Sequence, residues 1–450
     1  MGGLNKMPIQ DDKTIYTLAS AAGRAGVAVV RLSGPSCAQA CEALTGAPPP
    51  PPRQAVLKTL RDPHTKEHLD HALVLFFEAP HSFTGEDVLE LHIHGSRAVL
   101  QALFESLAQN PSLRPAQAGE FARRAFENDK MDLTQAEGLA DLIDAETAAQ
   151  RRQALRQMEG DLGALYKNWA ADLTQLLAMS EAALDFADED IPQDLTKGHN
   201  KTISVLIEAI TQHLCDNHRG ERLRHGFVVA LLGAPNVGKS SLLNALVKRN
   251  AAIVSPIPGT TRDIIEVSLD LGGYPVTLAD TAGLRETADQ IEHEGVRRAL
   301  ERATHADLKL VIMDASQSAK PDPTISALLD KDALLVVNKI DLVKNQSAFP
   351  QNALLIAAKT GEGLEHLTQT IINKIETAYA PTQNPTLTRA RHRYALEKTL
   401  AYLKAAQTAT QDELTAEELR LALRSLSQIT GHVDVEDLLD IIFGSFCIGK

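Results

Sequence analysis

The first third of the chain contains apolar runs that predict β-strands. Thr14 to Ser20 and Val27 to Leu32 have strand composition, and Gly23-Arg24-Ala25-Gly26 between them supplies turn residues. A hairpin is therefore expected. Arg31 lies in the second strand among apolar neighbours, and a lone strand arginine is most often a rim residue whose head group reaches water.

A stricter alternation follows within Val88 to His94, where apolar and polar residues alternate from Leu89 onward. Because successive side chains of a strand point to opposite faces, one set should face a core. That set is Leu89, Leu91 and Ile93. The opposite face, a candidate pocket wall, carries Glu90, His92 and His94. Two histidines at this spacing can ligate a metal, but no nearby Cys or third His completes a set, so hydrogen bonding or packing is favoured.

The spacing becomes helical from Gln117 to Ala149, with a break at Asn128-Asp129-Lys130. Long amphipathic helices are predicted from Thr147 to Phe186 and from Lys201 to Cys215. The basic segment His218 to His225 then predicts a solvated linker.

Helical spacing returns near the end of the chain, in Arg389 to Ala406, Glu413 to Leu426 and Glu436 to Ile442. Two helical halves thus flank a central module. We expect the halves to pack together, with the central module inserted between them and its ends close in space.

The central module opens with Gly233-Ala234-Pro235-Asn236-Val237-Gly238-Lys239-Ser240, which follows the apolar run Phe227 to Leu232 and precedes a predicted helix. This pattern and context predict a P-loop, whose backbone N–H groups cradle phosphates. Lys239 would reach the outer phosphate oxygens, and Ser240 would hold Mg²⁺.

Three further motifs specify a GTPase: Gly259-Thr260-Thr261-Arg262-Asp263, Asp280-Thr281-Ala282-Gly283 and Asn338-Lys339-Ile340-Asp341. Asp341 can accept two hydrogen bonds from guanine, a donor pair that adenine lacks. Asp280 should hold the Mg²⁺ shell through water, Thr261 should close on the metal, and Gly283 should donate to the γ-phosphate.

Leu284 follows the second of these motifs, where Ras-type enzymes place the glutamine that orients the attacking water. Another residue must position that water. Position alone leaves four candidates open, which are Arg285, Glu286, Asp289 and Glu292.

Composition and charge indicate the cellular compartment and the kinds of partner to expect. The chain has 450 residues, a net charge of −13 and four cysteines. The cysteines show no paired spacing, no leader or membrane-length apolar stretch is visible, and a cytoplasmic protein without membrane contact is expected. The acidic balance argues against a broad nucleic-acid surface, so any RNA contact should be local or shared with a partner.

The chain closely resembles the tRNA modification GTPase family MnmE, also called TrmE, over nearly its full length. Besides the GTPase motifs, the resemblance rests on four segments of this sequence. They are Gly23-Arg24 with Val29 to Gly34, Thr84 to Leu91, Gly119-Glu120-Phe121 with Asn128-Asp129-Lys130, and the terminal Phe446 to Lys450.

The resemblance implies a multidomain α/β protein. Its expected parts are an N-terminal α+β tetrahydrofolate-binding and dimerisation domain (1–130), a discontinuous all-α helical domain (131–222 and 379–450) and an inserted Ras-like P-loop G domain (223–378). It also implies a homodimer, and a heterotetramer with the flavoprotein MnmG. Together these would use a reduced-folate one-carbon unit, 5-formyltetrahydrofolate or a relative, to install carboxymethylaminomethyl at C5 of the wobble uridine, position 34, of certain tRNAs.

The resemblance also assigns site residues. Arg31, Glu90, Lys130 and Lys450 match the folate-contacting positions, which moves Arg31 from rim residue to ligand. Hydrolysis would be potassium-activated, with Asn236 as side-chain K⁺ ligand and carbonyls of Ser255, Ile257 and Thr260 completing the site; Mg²⁺ would use Ser240 and Thr261. Glu292 would position the water, beside Asn236 and Lys239 as catalytic residues. Cys447 has either a chemical role near the folate or a packing role.

The full set of residues expected to contact GTP spans five segments of the chain. It comprises Asn236, Val237, Gly238, Lys239, Ser240, Ser241, Ser255, Pro256, Ile257, Pro258, Gly259, Thr260, Thr261, Asp280, Thr281, Ala282, Gly283, Asn338, Lys339, Ile340, Asp341, Ala357, Ala358 and Lys359.

Two departures from the family pattern stand out. The last guanine loop has Ala357 where a serine is usual, so a hydroxyl that braces the loop is missing, while the N–H of Ala358 should still meet the guanine oxygen. Ala25 replaces a common glycine in the N-terminal loop.

An alternative interpretation is a ribosome-assembly or signalling GTPase switch. The acidic net charge and the lack of a basic RNA-binding segment argue against it.

Overall fold

Six strands from the first part of the chain form one mixed sheet. The computed structural model describes residues 13–185, 193–216, 218–250, 252–253, 266–280, 306–318, 326–379, 385–433, 436–444, 446 and 449. The strands are β1 (Thr14–Leu18), β2 (Ala25–Ser33), β3 (Val56–Arg61), β4 (His68–Phe77), β5 (Val88–Gly95) and β6 (Leu113–Pro115). Their order is β3-β4-β5-β2-β1-β6, antiparallel except for the parallel pair β1 and β6.

One face of this sheet is buried beneath two helices, α1 (Cys37–Thr45) and α2 (Arg97–Ala108). Leu89, Leu91 and Ile93 lie in that core, as the alternation of β5 predicted. Arg31 and Glu90 are opposite each other across the β2–β5 ladder, on the other face. Strand pairing therefore places two residues that are 59 positions apart side by side.

The predicted helical stretch after the sheet contains α3 (Glu120–Glu127) and α4 (Leu133–Asp144). The predicted break between them is confirmed, because Asn128 follows the end of α3 and Asp129 adopts a left-handed φ of 57°. This turn places Lys130 beside Gly85, where a Cβ would lie 3.0 Å from Lys130 Cε.

Four helices lead to the central module: α5 (Ala148–Met158), α6 (Asp161–Asp185), α7 (Gln193–Leu214) and α8 (Arg219–His225). The first three confirm the predicted helical spacing, and α7 begins earlier than predicted. The prediction of a solvated linker over 218–225 was wrong, since α8 is a helix held by ion pairs. Arg222 pairs with Asp307 at 3.1 Å and Arg224 with Asp141 at 2.8 Å. These carboxylates are distant in sequence, so charge composition alone did not reveal the helix.

The central module is built on a second sheet of seven strands with order β13-β12-β11-β7-β10-β9-β8. Strands β7, β10, β11, β12 and β13 are parallel, and β9 pairs antiparallel with β10 and β8. The elements are β7 (Phe227–Leu232), α9 (Lys239–Arg249), β8 (Ala252–Ile253), β9 (Glu266–Leu271), β10 (Tyr274–Asp280), β11 (Leu308–Asp314), β12 (Ala333–Asn338), β13 (Leu354–Leu355) and α10 (Leu364–Tyr379).

Both faces of this sheet are covered. Val229, Leu231 and Ile312 belong to one buried cluster, whereas their neighbours Leu232 and Val311 belong to another. Burial on both faces explains why β7, β11 and β12 are continuous apolar runs in the sequence. The carboxyl ends of parallel strands meet at one edge, which is where nucleotides bind in open α/β sheets.

The chain ends with α11 (Ala390–Thr408), α12 (Asp412–Thr430) and α13 (Glu436–Gly444). Arg393 of α11 binds the segment just before α8, donating to Asp216 at 2.6 Å, to the Leu214 carbonyl at 2.9 Å and to Glu221 at 3.2 Å. The segments that precede and follow the second sheet are thus in contact.

The contacts group the chain into two compact units, Met1–Ala140 with Ser427–Lys450, and Asp141–Leu426. The predicted division at residues 130, 222 and 378 is finer and stays a prediction. The described elements include the mixed sheet with its helices, the all-helical segments and the parallel α/β sheet that the predicted fold class requires.

Candidate functional site

The loop between β7 and α9 is shaped by residues with left-handed backbone angles. Gly233, Asn236 and Gly238 have φ values of 149°, 62° and 99°. A Cβ on Gly233 would overlap the carbonyl oxygen of Ile312, and a Cβ on Gly238 would overlap the amide nitrogen of Asn338. Only glycine fits these two positions, so the glycines of the P-loop pattern are explained by close approach as well as by conformation.

Lys239 begins α9 and is buried, with 7% of the residue exposed. Its ammonium donates to the carbonyls of Gly233 at 2.7 Å and Ala234 at 3.0 Å. An ammonium held inside the loop at a helix N-terminus is placed to meet a phosphate. Ser240 and Ser241 are exposed in the same first turn, which fits the predicted hydroxyl ligand of Mg²⁺.

The segment after β12 is bonded to this loop. The Asn338 amide donates to the Val237 carbonyl at 2.8 Å, and its side-chain oxygen accepts from the N–H of Ala358 at 3.0 Å. Asn338 is 2% exposed. Through these bonds it connects three predicted GTP-contacting segments from a buried position. The N–H of Ala358 was predicted to meet a guanine oxygen; a bound guanine would have to share it with Asn338.

Lys339 has a left-handed φ of 65° and also contacts the P-loop. Its ammonium donates to the Asn236 carbonyl at 2.8 Å and to Asp314 Oδ2 at 2.6 Å. Asp314 ends β11, and sequence reasoning missed it. The available signal was its position, because an apolar parallel strand ended by a carboxylate delivers that carboxylate to the nucleotide edge of the sheet.

The remaining described nucleotide residues lie at the same edge. Asp280 ends β10 beside Leu231 of β7, and Asp341 is exposed in the short 3₁₀ turn Ile340–Leu342. Ala357 is fully buried and Lys359 is exposed. The other predicted site residues lie outside the described residues and stay predictions: Ser255, Pro256, Ile257, Pro258, Gly259, Thr260, Thr261, Thr281, Ala282, Gly283, Glu292, Cys447 and Lys450.

A second candidate site lies on the N-terminal sheet, around the pair of Arg31 and Glu90. Arg31 Nε donates to Glu90 Oε1 at 2.9 Å, and the two side chains are 25% and 16% exposed. The Arg31 guanidinium also lies 5.7 Å from the ring centroid of Phe83 and 5.9 Å from that of Phe121. His92 Nε2 is 3.3 Å from Glu90 Oε2. The Arg31 head group is thus partly exposed and is held by an acidic partner beside two aromatic rings, and its role as a ligand stays a prediction.

A buried polar network beside this pair was also missed by sequence reasoning. Arg124 is 2% exposed and donates to both carboxylate oxygens of Glu86, at 3.0 and 3.2 Å, and to Glu120 at 3.3 Å. Asn128 donates to the Thr84 carbonyl at 2.8 Å. These bonds anchor the loop that carries Phe83 and Gly85, the residues next to Arg31 and Lys130.

No group of three or more His, Cys, Asp or Glu side chains in the described part of the chain is arranged to hold a metal ion. The His94 ring nitrogen Nδ1 donates a hydrogen bond to Asp70 Oδ1 at 2.7 Å. None of the helices searched among the described residues has both the length and the apolar character to cross a membrane.

Comparison with known proteins gives two family matches. Residues 133–447 match the model described as MnmE helical domain, and residues 14–130 match that described as GTP-binding protein TrmE N-terminus. The tRNA modification GTPase MnmE of Parvibaculum lavamentivorans is 55% identical over 97% of this chain and 100% of the relative. That of Paramagnetospirillum magneticum is 52% identical over 97% of this chain and 100% of the relative.

A relative from an animal matches as well. The mitochondrial 5-taurinomethyluridine-[tRNA] synthase subunit GTPB3 of Danio rerio is 46% identical over 98% of this chain and 93% of the relative. The similarity thus covers the P-loop module, the helices and the N-terminal sheet together. The chain belongs to the MnmE family of tRNA modification GTPases, which are GTP-hydrolysing enzymes.

Proposed function

We propose that this protein is a potassium-activated GTPase that works with a flavoprotein and a reduced-folate one-carbon unit. Together they would install carboxymethylaminomethyl at C5 of the wobble uridine, position 34, of certain tRNAs. The observation that carries the proposal is that one chain combines a P-loop bonded to its guanine segment with the partly exposed Arg31–Glu90 ion pair on a separate sheet.

The nucleotide would bind at the carboxyl edge of the second sheet. Loop N–H groups and Lys239 would hold the phosphates, and Asp341 would accept hydrogen bonds from guanine. The fit is supported by the glycine positions, since a side chain there would overlap the Ile312 carbonyl or displace Asn338. Ser240 and Thr261 would bind Mg²⁺, which neutralises phosphate charge when bound.

Potassium would bind beside the phosphates, with Asn236 as its side-chain ligand and carbonyls of Ser255, Ile257 and Thr260 around it. Asn236 is exposed, and its left-handed conformation sets it at the turn of the loop. A cation here would supply the charge neutralisation that an arginine finger supplies elsewhere, a contribution of roughly 10³–10⁵ in rate. Glu292 would then orient the attacking water.

Reduced folate would bind at the Arg31–Glu90 pair, with Lys130 and Lys450 nearby. Glu90 offers a carboxylate that can accept N–H donors of a pterin, and Arg31 offers donors for the acidic part of the ligand. Both side chains are partly exposed, and the Arg31 guanidinium lies 5.7 Å from the ring centroid of Phe83 and 5.9 Å from that of Phe121, a setting that suits a planar ligand. When bound, the folate would supply the one-carbon unit; Cys447 has either a chemical or a packing role beside it.

Partner proteins are part of the proposal. The Danio rerio relative is named as a subunit of a tRNA synthase, which supports action within a complex. We therefore propose a homodimer through the N-terminal domain that joins the flavoprotein MnmG in a heterotetramer, with tRNA bound mainly through the complex. The net charge of −13 agrees with shared RNA binding. The site of action would be the cytoplasm.

Potassium dependence is tested by measuring GTP turnover in KCl and in NaCl at equal ionic strength. Wild type should be faster in K⁺, and Asn236→Ala should keep GDP affinity and lose the stimulation. Asn352→Ala, an exposed asparagine of the same module, is the matched control and should behave as wild type. Equal stimulation of wild type and Asn236→Ala by K⁺ would show that Asn236 is not a potassium ligand. Equal wild-type turnover in the two salts would show that hydrolysis is not activated by potassium.

A further inference from the structure

A buried carboxylate that belongs to none of the four GTPase motifs touches the candidate nucleotide site. Asp314 ends β11, and its side chain is 2% exposed. Its Oδ1 accepts from the backbone N–H of Ser316 at 2.9 Å and from the Ser316 hydroxyl at 2.7 Å. The carboxylate orientation is therefore fixed from its own side of the sheet, leaving Oδ2 to face the neighbouring segment.

Oδ2 meets the ammonium of Lys339 at 2.6 Å, and the same ammonium donates to the Asn236 carbonyl at 2.8 Å. Lys339 and Asn236 both have left-handed backbone angles, which Asn adopts readily but which a lysine adopts only where surrounding contacts hold it. The Lys339 ammonium thus bridges a fixed carboxylate and the P-loop backbone.

Strand register explains why Asp314 can do this. Asp314 and Asn338 are register partners in the parallel pair β11–β12, so Lys339 is the first residue after the position that pairs with Asp314. The N–H of Ala315 also donates to the Asn338 carbonyl at 2.9 Å, which continues the ladder past the end of the strand. The guanine segment therefore leaves the sheet at a place determined by the end of β11.

We propose that Asp314 is a positioning residue of the nucleotide site: it holds Lys339 against the Asn236 carbonyl and so locks the guanine-recognition segment to the P-loop. The inference rests on the proposed nucleotide site. Asp314 touches no nucleotide in this role, and among the described residues it reaches the P-loop through Lys339. A bound guanine nucleotide benefits because the base segment and the phosphate loop are already held in one arrangement.

The test is a double-mutant cycle on the affinity of the full-length protein for a fluorescent GDP derivative. Asp314→Asn removes the negative charge and keeps the shape of the side chain. Loss of a charge-assisted bond of this kind should raise the dissociation constant for GDP about tenfold to a hundredfold. Lys339→Met should weaken binding at least as much. The double variant should match Lys339→Met within about twofold, because in this proposal the carboxylate acts on the nucleotide through Lys339.

Asp330→Asn is the matched control. Asp330 pairs with Lys309 at 2.6 Å at the opposite end of β11 and is half exposed, so its loss should leave the affinity unchanged. A general loss of fold would weaken all variants additively, whereas positioning through Lys339 gives non-additivity. Should Asp314→Asn fail to fold, Ser316→Ala replaces it, and it should weaken binding in the wild-type background but not in Lys339→Met.

Two outcomes overturn the inference: affinity of Asp314→Asn, or of its substitute Ser316→Ala, within about twofold of wild type, or additive effects with Lys339→Met. Failure of the proposed site looks different. If the P-loop did not hold the nucleotide, Lys239→Ala would bind GDP as wild type does, whatever the Asp314 variants show.

Discussion

Arg124 provides the sharpest test of how the N-terminal domain is held together. Its guanidinium is 2% exposed and binds Glu86, Glu120 and the carbonyls of Lys13 and Ser33. Replacing it by methionine keeps most of the apolar stem and removes every one of these bonds. Two carboxylates and two carbonyls then lose a cationic donor inside the domain.

The size of the effect follows from these partners. Removing one member of a buried ion pair typically costs about 3–5 kcal/mol, because the remaining charge is left without compensation. Glu86 keeps a bond from the Ser33 hydroxyl at 2.7 Å, and Glu120 keeps Arg114 at 2.6 Å. We therefore expect the lower part of that range, about 3 kcal/mol, or roughly a hundredfold change in the local opening equilibrium.

Amide hydrogen exchange measured by mass spectrometry reports this opening domain by domain, which a global unfolding curve of a multidomain chain does not. Peptides covering β1 and β2 should exchange roughly a hundredfold faster in Arg124→Met. Arg420→Met is the control, since Arg420 pairs with Glu181 on the surface and its loss should leave those peptides unchanged. An acceleration of less than about fivefold would refute the claim that Arg124 is an anchor.

Three further outcomes are expected. Glu90→Gln should abolish binding of 5-formyltetrahydrofolate in calorimetry, whereas Glu105→Gln on α2 should bind it normally. Retained binding in Glu90→Gln would show that the Glu90 carboxylate is not a folate ligand. Burial lowers the pKa of His213 from 6.5 to about 4, so the unfolded chain binds more protons between these values and stability falls as pH drops through them, by up to about 3 kcal/mol. The thermal advantage of wild type over His213→Gln should therefore shrink from pH 7 to pH 4.5, and a constant difference would contradict the shift. Gly238→Ala should raise the GDP dissociation constant at least about tenfold, because its Cβ would displace Asn338; unchanged affinity would show that the loop relaxes freely.

The strands and most helices could be predicted from periodicity, because their burial patterns repeat within a few residues. The ends were less predictable. The first strand stops at Leu18 instead of Ser20, and β2 begins at Ala25, inside the expected turn, because Ala25 pairs with Gly95 of β5. Such pairings join residues far apart in sequence, and local pattern does not contain them.

Residues of the candidate site were likewise predictable only where a local motif contains them. The P-loop glycines and Asn338 were predictable because each is part of a contiguous motif. Asp314 and Arg124 were not, since their roles depend on partners 25 and 38 positions away. The helix α8 was missed for a related reason: the basic residues of its sequence suggested a solvated linker, and only the fold supplies Asp141, Asp307 and Arg393 as partners.

The central claim is tested most directly by nucleoside analysis of tRNA from cells that lack this gene. The account predicts that the C5-modified wobble uridine disappears and returns with wild-type protein but not with Lys239→Ala. Persistence of the modified nucleoside in the deletion strain would contradict it.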